Sequence, residues 1–442
     1  MNMPAFHRLI GLLLVLGVAM PVAAQHAGEG SVYSRFGLGS RLDYASSQLQ
    51  AMGGGGAGLF NLNYLNLSNP AAWSDQVLTR ASGTVVFQRL RATDASGNTA
   101  SLGSGALHAV QFSFPLRARR IGVGLAFRPY TRANYLVRTD ARQIIPELSD
   151  TVQTRIDYAG EGGLQQLNAG LGLYLHPRLS VGVSADLIFG IIEHTQRTRF
   201  FDPELPGVIP SGYMSTLFAT STRMTGVRAT VGLLLRLPTG TQGSDGVAVG
   251  LTVSTPTVLR ATRVYTLGES LDRDTLGTTR RGDVHLPLSV ALGVSYQQDN
   301  RWTLVVDGRY EPWSRFRSDL DFAGYDPNGE NLFKDRLRLS AGLEYLPAGT
   351  DYSAPYFHQI AYRLGIFWEQ AYVAPRPDVS LRTLALTGGL SFPTLFPGTR
   401  LDINLEVGTR GTTAHDLVRD TYYRIGLSVN VGERWFLQRR FN

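Results

Sequence analysis

The sequence predicts an all-β protein, a transmembrane antiparallel β-barrel of about fourteen strands with an N-terminal segment folded into its lumen. Three observations support that expectation. Apolar side chains alternate with small or polar ones in one segment after another, to the end of the chain. They are dispersed instead of gathered into blocks. One stretch before the first strand is glycine-rich and does not alternate.

Composition fits a barrel better than membrane helices or several soluble domains. The 442 residues include 49 glycines, are 10% aromatic and only 17% charged, and their mean hydropathy is -0.06. No cysteine is present, which excludes disulfides, thiolate metal sites and a lipid-anchored cysteine. The net charge of +7 comes almost entirely from arginine, since Lys334 is the only lysine. Those arginines are scattered singly, so nucleic acid is not an expected partner.

The first segment, residues 1–24, reads as a signal peptide. His7-Arg8 is its positive region, Leu9 to Val18 its apolar run and Val22-Ala23-Ala24 its cleavage signal, leaving Gln25 as the first mature residue. The run is shorter than the ~20 residues of a spanning helix. No later stretch of spanning length is free of charge or strong polarity, so a barrel is the way left to cross a membrane with every backbone group paired. The expected location is the cell outer membrane, with outer-membrane lipid around the barrel.

Residues 25–83 are expected to form the lumenal segment. Met52 is followed by Gly53, Gly54, Gly55, Gly56, Ala57 and Gly58, and Asn69-Pro70-Ala71 comes shortly after. Glycine at that density lets backbone pass close to backbone and adopt positive φ. No Lys-Ser/Thr follows the glycines and no hydrophobic strand precedes them, which excludes a phosphate-binding loop.

The barrel proper is expected over residues 84–442. The clearest hairpin is Asp283 to Phe316, where Leu286, Leu288, Val290, Leu292, Val294 and Tyr296 alternate with small or polar residues before a turn at Gln298–Arg301. Candidate strands fall near 84–92, 106–115, 121–131, 164–175, 179–195, 223–237, 247–266, 284–297, 302–315, 335–346, 358–370, 383–393, 400–410 and 421–432. The gaps between them largely alternate short and long, as periplasmic turns and surface loops do. Charges on otherwise inward registers include Arg228, Arg236, Asp307, Arg309, Arg336, Arg338, Glu344, Asp402 and Glu406. They suit either a ligand headgroup or, better, a ladder of ion pairs holding the lumenal segment, because both signs are interspersed.

Catalytic signatures are weak. The eight histidines are singletons without metal-ligand spacing, and no Gly-x-Ser-x-Gly elbow is present. Neither an enzyme, a metal nor a cofactor is expected. The connection from Phe200 to Phe218 is unusually apolar for a surface loop, with Phe200, Phe201, Leu205, Val208, Ile209, Tyr213, Met214, Leu217 and Phe218 among its residues. It forms either a ligand-capture groove or a cap packed on its own side chains. Pro129, inside the third candidate strand, lacks a ladder donor and marks a break, a bulge or the end of that strand.

The Met-Gly-Gly segment, the Asn-Pro-Ala motif and a barrel carrying Leu-Pro, Gly-x-Ser-Tyr and a Trp-Ser pair together resemble the FadL-type outer-membrane transporters of hydrophobic compounds. The resemblance covers almost the whole mature chain. It implies fourteen strands and an N-terminal hatch whose motif is Gly53, Gly54, Gly55, Gly56, Gly58, Asn69, Pro70 and Ala71. It also implies capture by external loops and a lateral opening at Pro129 through which ligand leaves into the bilayer. The implied activity is passive transport of hydrophobic small molecules such as long-chain fatty acids. The end at Trp435-Phe436 and Arg439-Arg440 resembles the ends of such relatives and implies recognition by the barrel-assembly machinery through the C-terminal strand. Two alternatives remain at this stage, a barrel subunit that binds secreted proteins, as the type IX secretion shuttle does, and a general porin.

Overall fold

From Thr79 onward, antiparallel strands follow one another to the end of the described chain, each hydrogen-bonded to its neighbours, and the last returns to pair with the first. In this computed structural model the described residues are 30–60, 63–145, 150–201, 214–238, 245–268, 273–396 and 398–435. The signal peptide expected over 1–24 therefore lies outside them. So do Leu205, Val208, Ile209 and Tyr213 of the apolar connection, and Phe436, Arg439 and Arg440 near the C-terminus.

The wall is a closed barrel of 14 strands. They are β1 (Thr79–Thr93), β2 (Thr99–Arg117), β3 (Ile121–Pro129, resuming at Tyr135–Ile145), β4 (Asp150–His176), β5 (Leu179–Phe201), β6 (Thr216–Pro238) and β7 (Gly246–Ser254 and Thr257–Leu267). The circuit continues through β8 (Arg280–Leu286 and Ser289–Gln298), β9 (Trp302–Glu311), β10 (Arg336–Tyr345), β11 (Ala361–Gln370), β12 (Arg382–Pro393), β13 (Arg400–Gly411) and β14 (Arg419–Glu433). β1 pairs with β14 from Thr79↔Glu433 to Thr93↔Arg419, which closes the cylinder. Among the described residues, no helix is long and apolar enough to cross a membrane.

Alternation does the work expected of it. On β13, Leu401, Ile403, Leu405 and Val407 are exposed on the outer face, while Asp402, Asn404 and Glu406 are buried inside. The connection between β8 and β9 is only three residues, Asp299 to Arg301; Asp299 and Asn300 both take positive φ, at 54° and 53°, so that the Arg301 N–H donates back to the Gln298 carbonyl (2.9 Å). Short turns mark the end at which β1 begins and β14 finishes, at Thr79↔Glu433, and in barrels of this kind that end is periplasmic.

Several boundaries differ from the sequence expectation, for physical reasons. β1 begins at Thr79, so the wall starts earlier than residue 84. β4, β5 and β6 extend far beyond the 9–11 residues needed to cross a bilayer. Of the residues expected to form the long connections 132–163 and 196–222, 135–145, 150–163, 196–201 and 216–222 are arms of β3 to β6. Beyond the membrane both faces of such an arm are solvated, so no apolar alternation announces it.

The hairpin at 283–316 also changes register. Val284 and Leu286 are buried inward, whereas Leu292 and Val294 are exposed outward; the change falls at Pro287 and Leu288, between the two parts of β8. β7 makes the same change at Thr255 and Pro256, between its two parts. Arg228 on β6 ties these breaks together, donating from Nε to the Thr255 carbonyl (3.1 Å) and from Nη2 to the Pro287 carbonyl (2.9 Å).

Candidate functional site

Residues 30–60 and 63–78 thread the lumen and are fastened to the wall strand by strand. The segment holds a short helix, Ser47–Ala51, capped by the Ser46 hydroxyl accepting from the Leu49 N–H. It ends in a 3-10 turn, Pro70–Asp75. Asn69 caps that turn: its side-chain oxygen accepts from the Ala71 N–H (2.9 Å), and its amide nitrogen donates to the carbonyls of Ala57 (2.7 Å) and of Leu233 in the wall (2.9 Å). Pro70, at the first turn position, costs no backbone bond there.

The glycine run lies where backbone meets wall. Gly53 has φ +84°, and a Cβ there would come within 2.7 Å of the Ile366 carbonyl. At Gly58 it would meet the Gly293 carbonyl at 2.5 Å. Gly54, Gly55 and Gly56 lie beside Arg338, Ser340 and Asp307 and line a small internal void with them.

Two buried ionic networks bind the segment. Asp43 pairs with Arg336 and, at 2.9 Å, with Arg309. Arg41 lies 3.5 Å from Glu311, while Arg336 and Arg338 share Glu369 at 3.0 and 2.8 Å. The second network centres on Arg363, which pairs with Glu344 (2.6 Å) and Asp402 (3.2 Å) and donates to the Tyr64 hydroxyl (2.9 Å). Tyr64 and Ser47, both lumenal, donate in turn to Asp402. Gln50 binds Glu406, Asp75 pairs with Arg236, and Asp307 accepts from the Ala57 N–H. The inward charges singled out in the sequence are therefore mostly partners of this segment. The burial that desolvates them is offset by pairing and hydrogen bonding.

The extracellular half of the lumen has a different character. Tyr33 and Leu38 of the segment pack with Ile188, Ile192, Met224, Leu259, Val284, Leu286, Trp313 and Tyr372 in one buried apolar cluster. The register changes at Thr255–Pro256 and Pro287–Leu288 turn the apolar residues of β7 and β8 inward at this level. Tyr372 fixes the segment here, its hydroxyl accepting from the Leu38 N–H (3.1 Å) and donating to the Gly39 carbonyl (2.6 Å). Ile188 of β5 points inward and belongs to this cluster. Leu234 packs on Ala71 and Ala72, and Val305 on Leu49, Met52 and Leu59.

The wall is interrupted at one place beside that cluster. β2 pairs with β3 from Arg117↔Ile121 up to Val110↔Phe127 and no further. After Pro129, Thr131 and Arg132 instead form a two-residue ladder with Arg41 and Ser40 of the lumenal segment. Asn134 donates its N–H to the Ser34 hydroxyl at 3.0 Å. Tyr130 and Ala133 join the apolar cluster. The edge of β2 from Thr99 to Ala109 thus has β1 on one side and, among the described residues, no ladder on the other. Pro129 is the last residue of β3 before the departure. Behind the gap lies a small polar void lined in part by Ser104, Arg132, Asn134, Arg410, Asp420 and Arg424.

The apolar connection is only partly a loop. Phe200 and Phe201 end β5, opposite Thr154 and Gln153 of β4. Leu217 is buried in β6, Phe218 stacks on Tyr265 of β7 with ring centroids 6.1 Å apart, and Met214 is 81% exposed. Sequence reasoning missed Arg41, Asp43, Tyr372 and the inward turn at Tyr130–Asn134, since nothing local signals a partner hundreds of residues away. Among the described residues, no three His, Asp or Glu side chains are placed to hold a metal ion.

Solved structures share the architecture. A Pseudomonas aeruginosa FadL homologue is similar with a TM-score of 0.57 at 16% identity, over 89% of this chain and 100% of that one. The Ralstonia pickettii toluene transporter TbuX gives 0.57 at 16%, over 89% and 99%. The CymD monoaromatic hydrocarbon channel gives 0.54 at 15%, over 88% and 97%. At that identity the likeness establishes a FadL-like outer-membrane barrel fold and no more. No curated protein matches the chain. The family profile for BamG does match, over residues 6–442, and the chain belongs to the BamG family.

Proposed function

We propose that this barrel passes hydrophobic small molecules by passive diffusion, with the N-terminal segment as the hatch and the gap between β2 and β3 as the lateral exit. The observation that carries this reading is the departure of β3 from β2 after Phe127, where the strand pairs with Ser40 and Arg41 of the hatch instead. A wall strand bonded to the plug couples plug position to the opening. The apolar cluster beside it supports the reading, because withdrawal of Leu38 and Tyr33 would leave an apolar space next to the gap. The solved structures that share this fold include a toluene transporter and a monoaromatic hydrocarbon channel, which supports small apolar cargo. Long-chain fatty acids are the larger members of the same class. The polar half, filled by ion pairs, argues against a general porin.

The chain has no native cysteine, so the coupling can be tested cleanly. Ser40 and Arg132 face each other in register, and opposed residues in antiparallel ladders lie within disulfide reach. The double variant Ser40→Cys/Arg132→Cys is expected to abolish uptake of labelled oleate and toluene when oxidised and to recover it on reduction. Equal uptake in both states would overturn the hatch-coupled route.

A second reading is favoured by a groove of about 590 Å³ at the periplasmic rim, lined by Val77, Pro115, Leu116, Arg119, Arg434 and Trp435. It suits a barrel that works by holding another exported protein. Normal uptake in Leu116→Asp together with loss of a co-purifying protein would favour this second reading.

A further inference from the structure

Arginines stand on the outer face of the barrel just above its apolar band, with β2 between them and the gap. On β1 and β14 the outward rows run Ala81/Val431, Gly83/Val429, Val85/Leu427 and Phe87/Ile425, then Arg89/Tyr423, Arg91/Thr421 and Thr93/Arg419. Trp435 and Tyr423 bracket the apolar rows. The tilted chain between them rises roughly 30 Å, close to the height of a barrel's lipid-facing band. Arg89, Arg91 and Arg419 are therefore level with the headgroups of the outer leaflet, and all three side chains are exposed. Arg89 and Arg91 are two residues apart on one face, roughly 7 Å from each other, and Arg419 lies diagonally across the ladder from Arg91 at a similar distance. The carboxylate of Asp94, at the tip of the β1–β2 turn three residues after Arg91, is engaged with Asn98: it accepts from the Asn98 N–H and side-chain amide, both at 2.8 Å.

We infer that Arg89, Arg91 and Arg419 form a binding site for the phosphates of the outer-leaflet glycolipid, lipid A. Three guanidiniums above an apolar wall match a ligand with phosphates above acyl chains, and guanidinium binds phosphate through charge-assisted, bidentate hydrogen bonds. Arg89 also donates from Nε to Ser101 of β2 at 3.2 Å, so a bound lipid would sit against the strand whose other edge borders the gap.

Native mass spectrometry of the full-length protein, titrated with diphosphoryl lipid A and with its dephosphorylated form, tests the assignment. The wild type is expected to prefer the phosphorylated lipid. The triple variant Arg89→Gln/Arg91→Gln/Arg419→Gln is expected to lose that preference, with an affinity drop on the order of a hundredfold, about fivefold per guanidinium removed. Substituting outward arginines across the barrel, Arg223→Gln/Arg260→Gln, is expected to leave the preference intact, and millimolar inorganic phosphate is expected not to displace the lipid. Because all three side chains are exposed, folding is preserved, which unchanged heat-modifiable migration checks. Equal retention of both lipids by the wild type would overturn the site, as would an undiminished preference in the triple variant, an equal loss in the distal variant, or displacement by free phosphate.

Discussion

Asp43 shows what single residues contribute here. Its carboxylate is the lumenal partner of both Arg336 and Arg309, and the Arg336 side chain is 1% exposed. Asp43→Ala leaves those buried charges short of a partner, and breaking such a pair typically costs about 3–5 kcal/mol. The expected result is a lower heat-modification midpoint on gel electrophoresis, with part of the loss recovered in Asp43→Ala/Arg309→Met, which removes the arginine whose ion pair is with Asp43 and leaves Arg336 on Glu311 and Glu369. An unchanged midpoint in Asp43→Ala would mean that the segment is held elsewhere. Residues of this kind are only half legible in a sequence. That Arg336, Arg338, Asp402 and Glu406 face inward follows from the apolar residues alternating with them. That their partners are Asp43, Tyr64, Ser47 and Gln50 does not follow, because the pairing is set by how the segment threads the closed barrel. Asn69 is the exception: a short motif followed by proline signals a cap locally, and the Asn69 side chain does cap Pro70–Asp75.

At the scale of elements, β3 is the one that departs from the pattern. Pro129 ends its lower part, where the strand is still in register with Gln165 of β4, and the residues that follow turn inward. Pro129→Ala restores a backbone donor and the freedom to continue the ladder. Uptake of oleate or toluene is expected to fall while barrel abundance stays normal. Unchanged uptake would reduce Pro129 to a strand terminus. The break was readable from proline's missing N–H; the destination of the strand was not, since Thr131 and Arg132 pair with Arg41 and Ser40, far earlier in the chain. The hairpin arms above the membrane were missed for a different reason. β4 and β5 alternate visibly where one face meets lipid and lose that signature where both faces meet water.

For the whole molecule the question is whether the plugged barrel holds shut. Gly53→Val places a branched side chain where even a Cβ meets the Ile366 carbonyl at 2.7 Å, at a φ of +84°. The segment is expected to seat poorly, and single-channel recordings in planar bilayers should show conductance that the wild type lacks. A silent Gly53→Val barrel would mean that the seal does not depend on this close approach. Fold class was the most legible property of the chain, since two-residue alternation repeated through the wall strands admits few other closed structures in lipid.

The gap between β2 and β3 does not extend over the full height of the wall. Below Val110↔Phe127 the ladder is intact to Arg117↔Ile121, and that level lies well beneath Arg89 and Tyr423. Any molecule slipping out sideways is thus delivered to the distal monolayer alone. It must then flip unaided across the bilayer midplane before it can reach the periplasm. Flipping is fast for toluene-like solutes and for protonated fatty acids, and slow for anything that keeps a charge. On this route, what the cell gains would be selected twice, first by the barrel and then by the membrane itself.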